Sequence, residues 1–116
     1  MIEELIAKIF CTRNCAHITH WKTDSYAEHI ALGEFYDNII SKLDTFVEVY
    51  QGNFKKMQDV DYLDEYDEIK NHLEDDIKWI EKHYEKLSYS ITPLKNILDE
   101  ILACYLQTLY KLRFLK

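Results

Sequence analysis

An all-α fold, a single bundle of four helices, is what this sequence predicts, and three observations predict it. Only 2 Gly and 1 Pro occur in 116 residues, so the punctuation that many short strands require is missing. Apolar residues recur at spacings of three and four over long stretches, the period of a helix face. Turn signals break those stretches at only three places. The composition, 47% hydrophobic and 30% charged, is that of a globular chain rather than a disordered one. Its length fits one domain, residues 1–116, with no room for two.

The first helix is expected from Ile2 to Trp21, with Ile2, Leu5, Ile6, Ile9 and Phe10 on its apolar side. It stops near Lys22-Thr23-Asp24. Ser25-Tyr26-Ala27-Glu28 then reads as a capping box that opens the second helix. So short a link makes the two helices antiparallel neighbours. The second helix is expected from Ser25 to Tyr50, about 38 Å long at ~1.5 Å per residue. Leu32, Tyr36, Ile39, Leu43, Phe46 and Tyr50 form its seam, and Gly52 reads as its left-handed stop.

Asn53 to about Asp61 is a connector. The third helix is expected over Tyr62–Leu87, with Tyr66, Ile69, Leu73, Ile77, Ile80, Tyr84 and Leu87 on one face. It carries most of the negative charge, eleven acids against three lysines between Asp59 and Glu85. Ser88-Tyr89-Ser90-Ile91 is a turn, and Thr92-Pro93 opens the last helix as N-cap and first helical residue. Leu94, Ile97, Leu98, Ile101, Leu102, Tyr105, Leu106 and Leu109 give that helix a wide apolar face. Such a face suits the most buried helix of the bundle, or one that meets a second chain.

Two topologies fit these elements. One is a simple up-down-up-down bundle. In the other, the middle connector crosses the length of the bundle between the second and third helices. At roughly 3.3 Å per residue, nine to eleven residues reach about 30–36 Å. That is just enough for the crossover, and more than a hairpin needs.

Net charge is −7, so there is no general electrostatic attraction for DNA or RNA, and no nucleic-acid partner is expected. No stretch approaches the ~18 apolar residues of a membrane span. The acidic start, Met1-Ile2-Glu3-Glu4, lacks the layout of a secretory signal. Three cysteines, an odd number, suit free thiols in a reducing compartment, and a cytoplasmic location is expected. Cys11 and Cys15 lack an adjacent histidine to complete a zinc set, so small buried residues is their reading; Cys104 is expected to be inert.

The residues that could carry chemistry gather in the first two helices. His17 and His20 end the first; His29 opens the second. Asp44 and Glu48, one turn apart, point the same way from the second helix. Imidazoles and carboxylates suit iron, manganese or zinc. Yet fifteen residues separate His29 from Asp44, about 22 Å at ~1.5 Å per residue. One chain cannot bring them to one ion. Two copies of the second helix, paired antiparallel about a two-fold axis, would make two identical shared sites.

The run His17-Ile18-Thr19-His20-Trp21, followed by His29, Asp44 and Glu48, resembles the Dps mini-ferritins, four-helix proteins of the ferritin-like class that assemble as hollow shells. The resemblance covers about Cys15 to Gly52. It implies a ferritin-like crossover and Fe(II) oxidation at a site between subunits, with His20 and His29 from one chain and Asp44 and Glu48 from the other. His17, Trp21, Glu34 and Asp37 would surround the ligands, and no catalytic residue is expected beyond the ligands themselves. The resemblance also implies a homo-oligomer joined through the second helix, with iron as the metal and storage of the ferric product. Where that family places a further acidic ligand, one turn after the second histidine, this chain has Gly33. It also lacks a basic N-terminal tail, and the Glu-x-x-His pattern of larger ferritins is absent. The chain is similar, too, to small ferritin-like proteins of tailed bacteriophages, which would place it in a host cytoplasm or a virion. A second reading follows: an oligomeric module of the same fold without catalysis, acting as a structural or regulatory partner of another protein.

Overall fold

The computed structural model describes all 116 residues. Five helices form, with no strand: α1 (Ile2–Lys22), α2 (Tyr26–Asn53), α3 (Ile69–Lys82), the single turn α4 (Tyr84–Ser88) and α5 (Thr92–Phe114). Four of them are main helices. α1 packs on α2 and α3, while α5 packs on α2, α3 and α4. The body measures 44 × 26 × 22 Å. No helix is long and apolar enough to cross a membrane.

The core follows the seams. Leu32, Phe35, Ile39, Leu43 and Phe46 of α2 are fully buried, against Leu5 and Ile9 of α1 and Leu98, Ile101 and Tyr105 of α5. Each such side chain contributes about 1.5–3 kcal/mol by leaving water. Phe35 and Tyr105 meet edge to face, with centroids 5.2 Å apart, the arrangement their quadrupoles favour. Phe10 and Leu106, expected on apolar faces, are about half exposed.

The α1–α2 hairpin forms where the sequence puts it. The Ser25 hydroxyl accepts from the Glu28 amide at 3.2 Å. The other half of the expected capping box is replaced: the Ser25 amide donates to the Thr23 hydroxyl at 3.1 Å. α2 also runs past its expected stop. Gly52 lies inside the helix, with no positive φ, and the Phe54 amide closes the end on the Tyr50 carbonyl.

The largest departure is the third helix. It begins at Ile69 instead of Tyr62 and breaks at His83. Residues 54–68 are not helical. Six acids and no base lie between Asp59 and Glu68, and like charges three and four apart oppose a helix. The segment is held to α1 instead. Gln58 donates its amide to Glu3 at 2.7 Å. The Cys11 thiol donates to the Glu65 carbonyl at 3.4 Å, and the Cys15 thiol to the Asp67 carbonyl at 3.3 Å. The break at His83 is capped by its own ring, whose Nδ1 donates to the Trp79 carbonyl at 2.8 Å.

The link to α5 turns on Tyr89 and Ser90, left-handed at φ 52° and 55°. Neither is glycine, so the turn costs on the order of 1–2 kcal/mol per residue. Packing of the Tyr89 ring on Phe54 and Tyr50, at 4.6 and 5.7 Å, offsets it. The helix starts one residue early, with Ile91 as N-cap instead of Thr92.

Candidate functional site

The tight turn at Thr23–Ser25 sets the last turn of α1 beside the first of α2, and two histidines lock the corner. His20 Nδ1 lies 2.6 Å from the carbonyl oxygen of His29, and His29 Nδ1 lies 2.8 Å from the carbonyl oxygen of His20. A carbonyl only accepts, so each Nδ1 carries a proton and donates. In the neutral ring the lone pair then sits on Nε2, the arrangement common in metal-binding histidines. The two rings stack face to face, 3.8 Å between centroids and 14° from parallel.

His17 lies one turn back. It stacks on Tyr36 at 3.9 Å and meets Trp21 at 4.3 Å. The Arg13 guanidinium sits 5.4 Å from the Tyr36 ring centre. Desolvation, then the charges of Arg13 and His20, hold the His17 pKa below its usual value, so this ring stays neutral at pH 7.

Gly33 faces the same corner. A Cβ built on it would lie 3.0 Å from Cε1 and 3.3 Å from Nδ1 of His20. The position where the mini-ferritin resemblance would have an acid is thus filled from the other side by an imidazole. Glu34 turns away and pairs with Lys111 of α5 at 2.8 Å. Asp37 is exposed.

Asp44 and Glu48 are exposed on α2. They border a groove of about 400 Å³ lined by Phe10, Val47, Met57 and Val60. Neither belongs to an ion pair. The chain brings His17, His20, His29 and Trp21 together but leaves the two carboxylates far along the helix. No group of three or more His, Cys, Asp or Glu is placed to hold a metal ion within one chain. The stacking adds a constraint. A cation lies in the plane of the imidazole that binds it, about 2.0–2.1 Å from nitrogen for an ion such as zinc. Two near-parallel rings with centroids 3.8 Å apart do not bring their planes together at that distance. The donor set therefore fits one imidazole per cation, with the other ligands supplied from elsewhere.

A second polar centre escaped the sequence reading. Asp76 of α3 is buried, and its Oδ2 accepts from Thr12 of α1 at 2.5 Å and from Tyr105 of α5 at 2.7 Å. One carboxylate thus ties three helices together. Burial raises the Asp76 pKa, against the two hydrogen bonds. Burial and the Asp76 charge push Tyr105 well above the usual phenol value. His72, one turn before Asp76, has a buried Nε2 with no partner. The signal was there: Asp76 shares the helix face of Leu73, Ile77 and Ile80, but its place in an acidic run read as wet surface.

No curated protein and no solved structure matches the chain. A family match covers residues 20–112, from the histidine corner almost to the end of α5. On that match the chain belongs to DUF5856, a family of unknown function.

Proposed function

We propose that the chain is a ferritin-like bundle that pairs with a second copy through α2 and takes Fe(II) as substrate at sites shared between the two chains. The observation that carries this reading is the pair of anchored imidazoles. Each fixes Nδ1 on a carbonyl and keeps Nε2 for a cation, while the unpaired acids Asp44 and Glu48 lie about 22 Å along the same helix at ~1.5 Å per residue. An antiparallel α2 pair brings the acids of one copy to the histidines of the other, twice, about one axis. Asp44 and Glu48 offset the cation's charge. Two Fe(II) each give up one electron; peroxide takes both, with two protons, and leaves two waters.

Residue pairs support the crossover. His20 meets His29, Thr12 meets Asp76, Tyr105 meets Phe35 and Asp76, and Lys111 meets Glu34. Lys111 at Glu34 sets α5 antiparallel to α2, and Tyr105 at Asp76 with Arg113 at Glu74 sets it antiparallel to α3, which supports α2 and α3 running in the same direction. The connector meets α1 in rising order, Gln58 at Glu3, Glu65 at Cys11 and Asp67 at Cys15. Fifteen residues between α2 and α3 reach up to about 50 Å at ~3.3 Å per residue.

The test adds Fe(II) under air and then with peroxide, following ferric absorbance, on protein whose solution mass is measured in the same sample. An oligomer that oxidises iron, and loses this in His29→Ala and in Asp44→Ala, is the expected result. A monomer, or no oxidation above buffer, would overturn the reading. The fit of His20 over Gly33 favours one alternative, in which the histidine pair is only a clasp for the hairpin. The protein is then a non-catalytic, self-associating module that binds another protein, and the same measurement would show an oligomer without oxidation.

A further inference from the structure

The outer face of α1 and the connector of residues 54–68 line a half-open pocket of about 280 Å³, separate from Asp44 and Glu48. Trp21 comes from α1; Tyr62, Asp64, Glu65 and Tyr66 come from the connector. The connector wall is fixed in place, because the Cys11 and Cys15 thiols hold the Glu65 and Asp67 carbonyls.

Three features of the lining point to one class of ligand. The aromatic side chains are open, with Trp21, Tyr62 and Tyr66 exposed by 68%, 76% and 73%. Among rings Trp21 meets only His17, and neither tyrosine stacks on any ring, so both tyrosine faces and the Trp21 face away from His17 have no aromatic partner. Asp64 and Glu65 have no cationic partner, and no Lys or Arg occurs from Met57 to Ile69.

Aromatic faces carry negative potential and attract cations. Unpaired carboxylates beside them repel anions and add to that attraction. An alkylated ammonium spreads its charge over C–H groups, which fit flat against aromatic faces and need no hydrogen-bond acceptor. A primary ammonium would instead seek the carboxylates and water.

We propose that this pocket binds an alkylated ammonium group of the trimethylammonium type, with Trp21, Tyr62 and Tyr66 as its walls and Asp64 and Glu65 as the counter-charge. The site shares His17 and Trp21 with the surroundings of the histidine corner but uses none of His20, His29, Asp44 and Glu48, so it survives failure of the iron reading.

The experiment titrates the full-length protein with choline, with its neutral carbon isostere 3,3-dimethylbutan-1-ol, and with butylammonium, following the indole N–H resonances by NMR. Trp79, which packs with Lys8 at 5.2 Å and His83 at 4.6 Å, is the internal control. A saturable shift of Trp21 with choline, absent with the neutral isostere and weaker with butylammonium, is expected. Tyr62→Ala and Tyr66→Ala should each weaken it by roughly 2- to 30-fold. Asp64→Asn with Glu65→Gln should weaken it and flatten its salt dependence. All four positions are exposed, so unchanged circular dichroism separates loss of binding from loss of fold. Equal binding of the neutral isostere, tighter binding of butylammonium, or no saturable shift would each overturn the proposal.

Discussion

Gly33 and His20 are fitted to each other across the hairpin: the glycine leaves only 3.0 Å between an added Cβ and the imidazole Cε1. The ring cannot easily retreat, since its Nδ1 is bonded to the His29 carbonyl and its face lies on the His29 ring. Ala at position 33 would otherwise be favoured by about 1 kcal/mol, the usual cost of glycine inside a helix. Gly33→Ala should therefore lower the urea midpoint in the native background. In a His20→Ala background the same change should raise stability by about 1 kcal/mol. A gain of equal size in both backgrounds would show that the two residues do not interact.

The carboxylate joining α1, α3 and α5 gives a pH signature. Burial raises the Asp76 pKa above its usual value near 3.8. The native state thus holds a proton that the unfolded chain has already lost, so this group's contribution to stability falls as pH rises through its folded pKa. Glu3 and Asp67, whose pKa values are lowered, act in the opposite sense, losing stability as pH falls. The informative quantity is the difference between native protein and Asp76→Asn across pH 4 to 8. Relative to the variant, the native protein should lose stability as pH rises in that range; parallel curves would exclude a raised Asp76 pKa.

Removing a donor from that carboxylate should cost more than removing one from a solvated group. Thr12→Val and Tyr105→Phe each leave a buried oxygen short of a hydrogen bond, at about 1–3 kcal/mol. Their effects should not add, because both act on Asp76 Oδ2. Denaturant unfolding of the two single variants and the double variant checks this.

Tyr84 donates to Asp99 at 2.6 Å, and that bond, then desolvation, pushes its pKa up to about 12. Its contribution is present below the ordinary phenol value and lost as pH rises through about 12. Ultraviolet titration should show one late-ionising tyrosine assigned to Tyr84 that moves down towards 10 in Asp99→Asn. A titration unchanged by the substitution would assign the late group elsewhere.

The thiols should react in order of access. Cys15 and Cys104 are buried, and burial raises both pKa values; Cys11 is half-buried. An aromatic disulfide reagent should modify Cys11 first, and the other two only as the protein opens. Modification at Cys11 should loosen the connector, detectable as faster hydrogen exchange near Glu65.

The first two helices and α5 were legible in the sequence because each carries its own evidence: an unbroken seam such as Leu32, Ile39, Leu43 and Phe46, and a cap at Ser25. These are local properties, settled within one or two turns. The distance from His29 to Asp44 along α2 was legible for the same reason, since it depends only on helix rise. Other features had no local signal. Residues 62–68 carry a helical pattern, and the repulsion of their acids, together with the partners offered by α1, keeps them out of the helix. Gly33 reads in the sequence as a missing ligand and becomes a space for an imidazole from the neighbouring helix. Asp76 reads as one more surface acid until Thr12 and Tyr105, 64 and 29 residues away, close on it. The sequence by itself therefore determined α1, α2 and α5, the corner between the first two, and the acidic character. Tertiary structure alone decided which polar groups are buried and which aromatic faces stay open, because burial and hydrogen-bond partnership depend on chains brought together from distant positions.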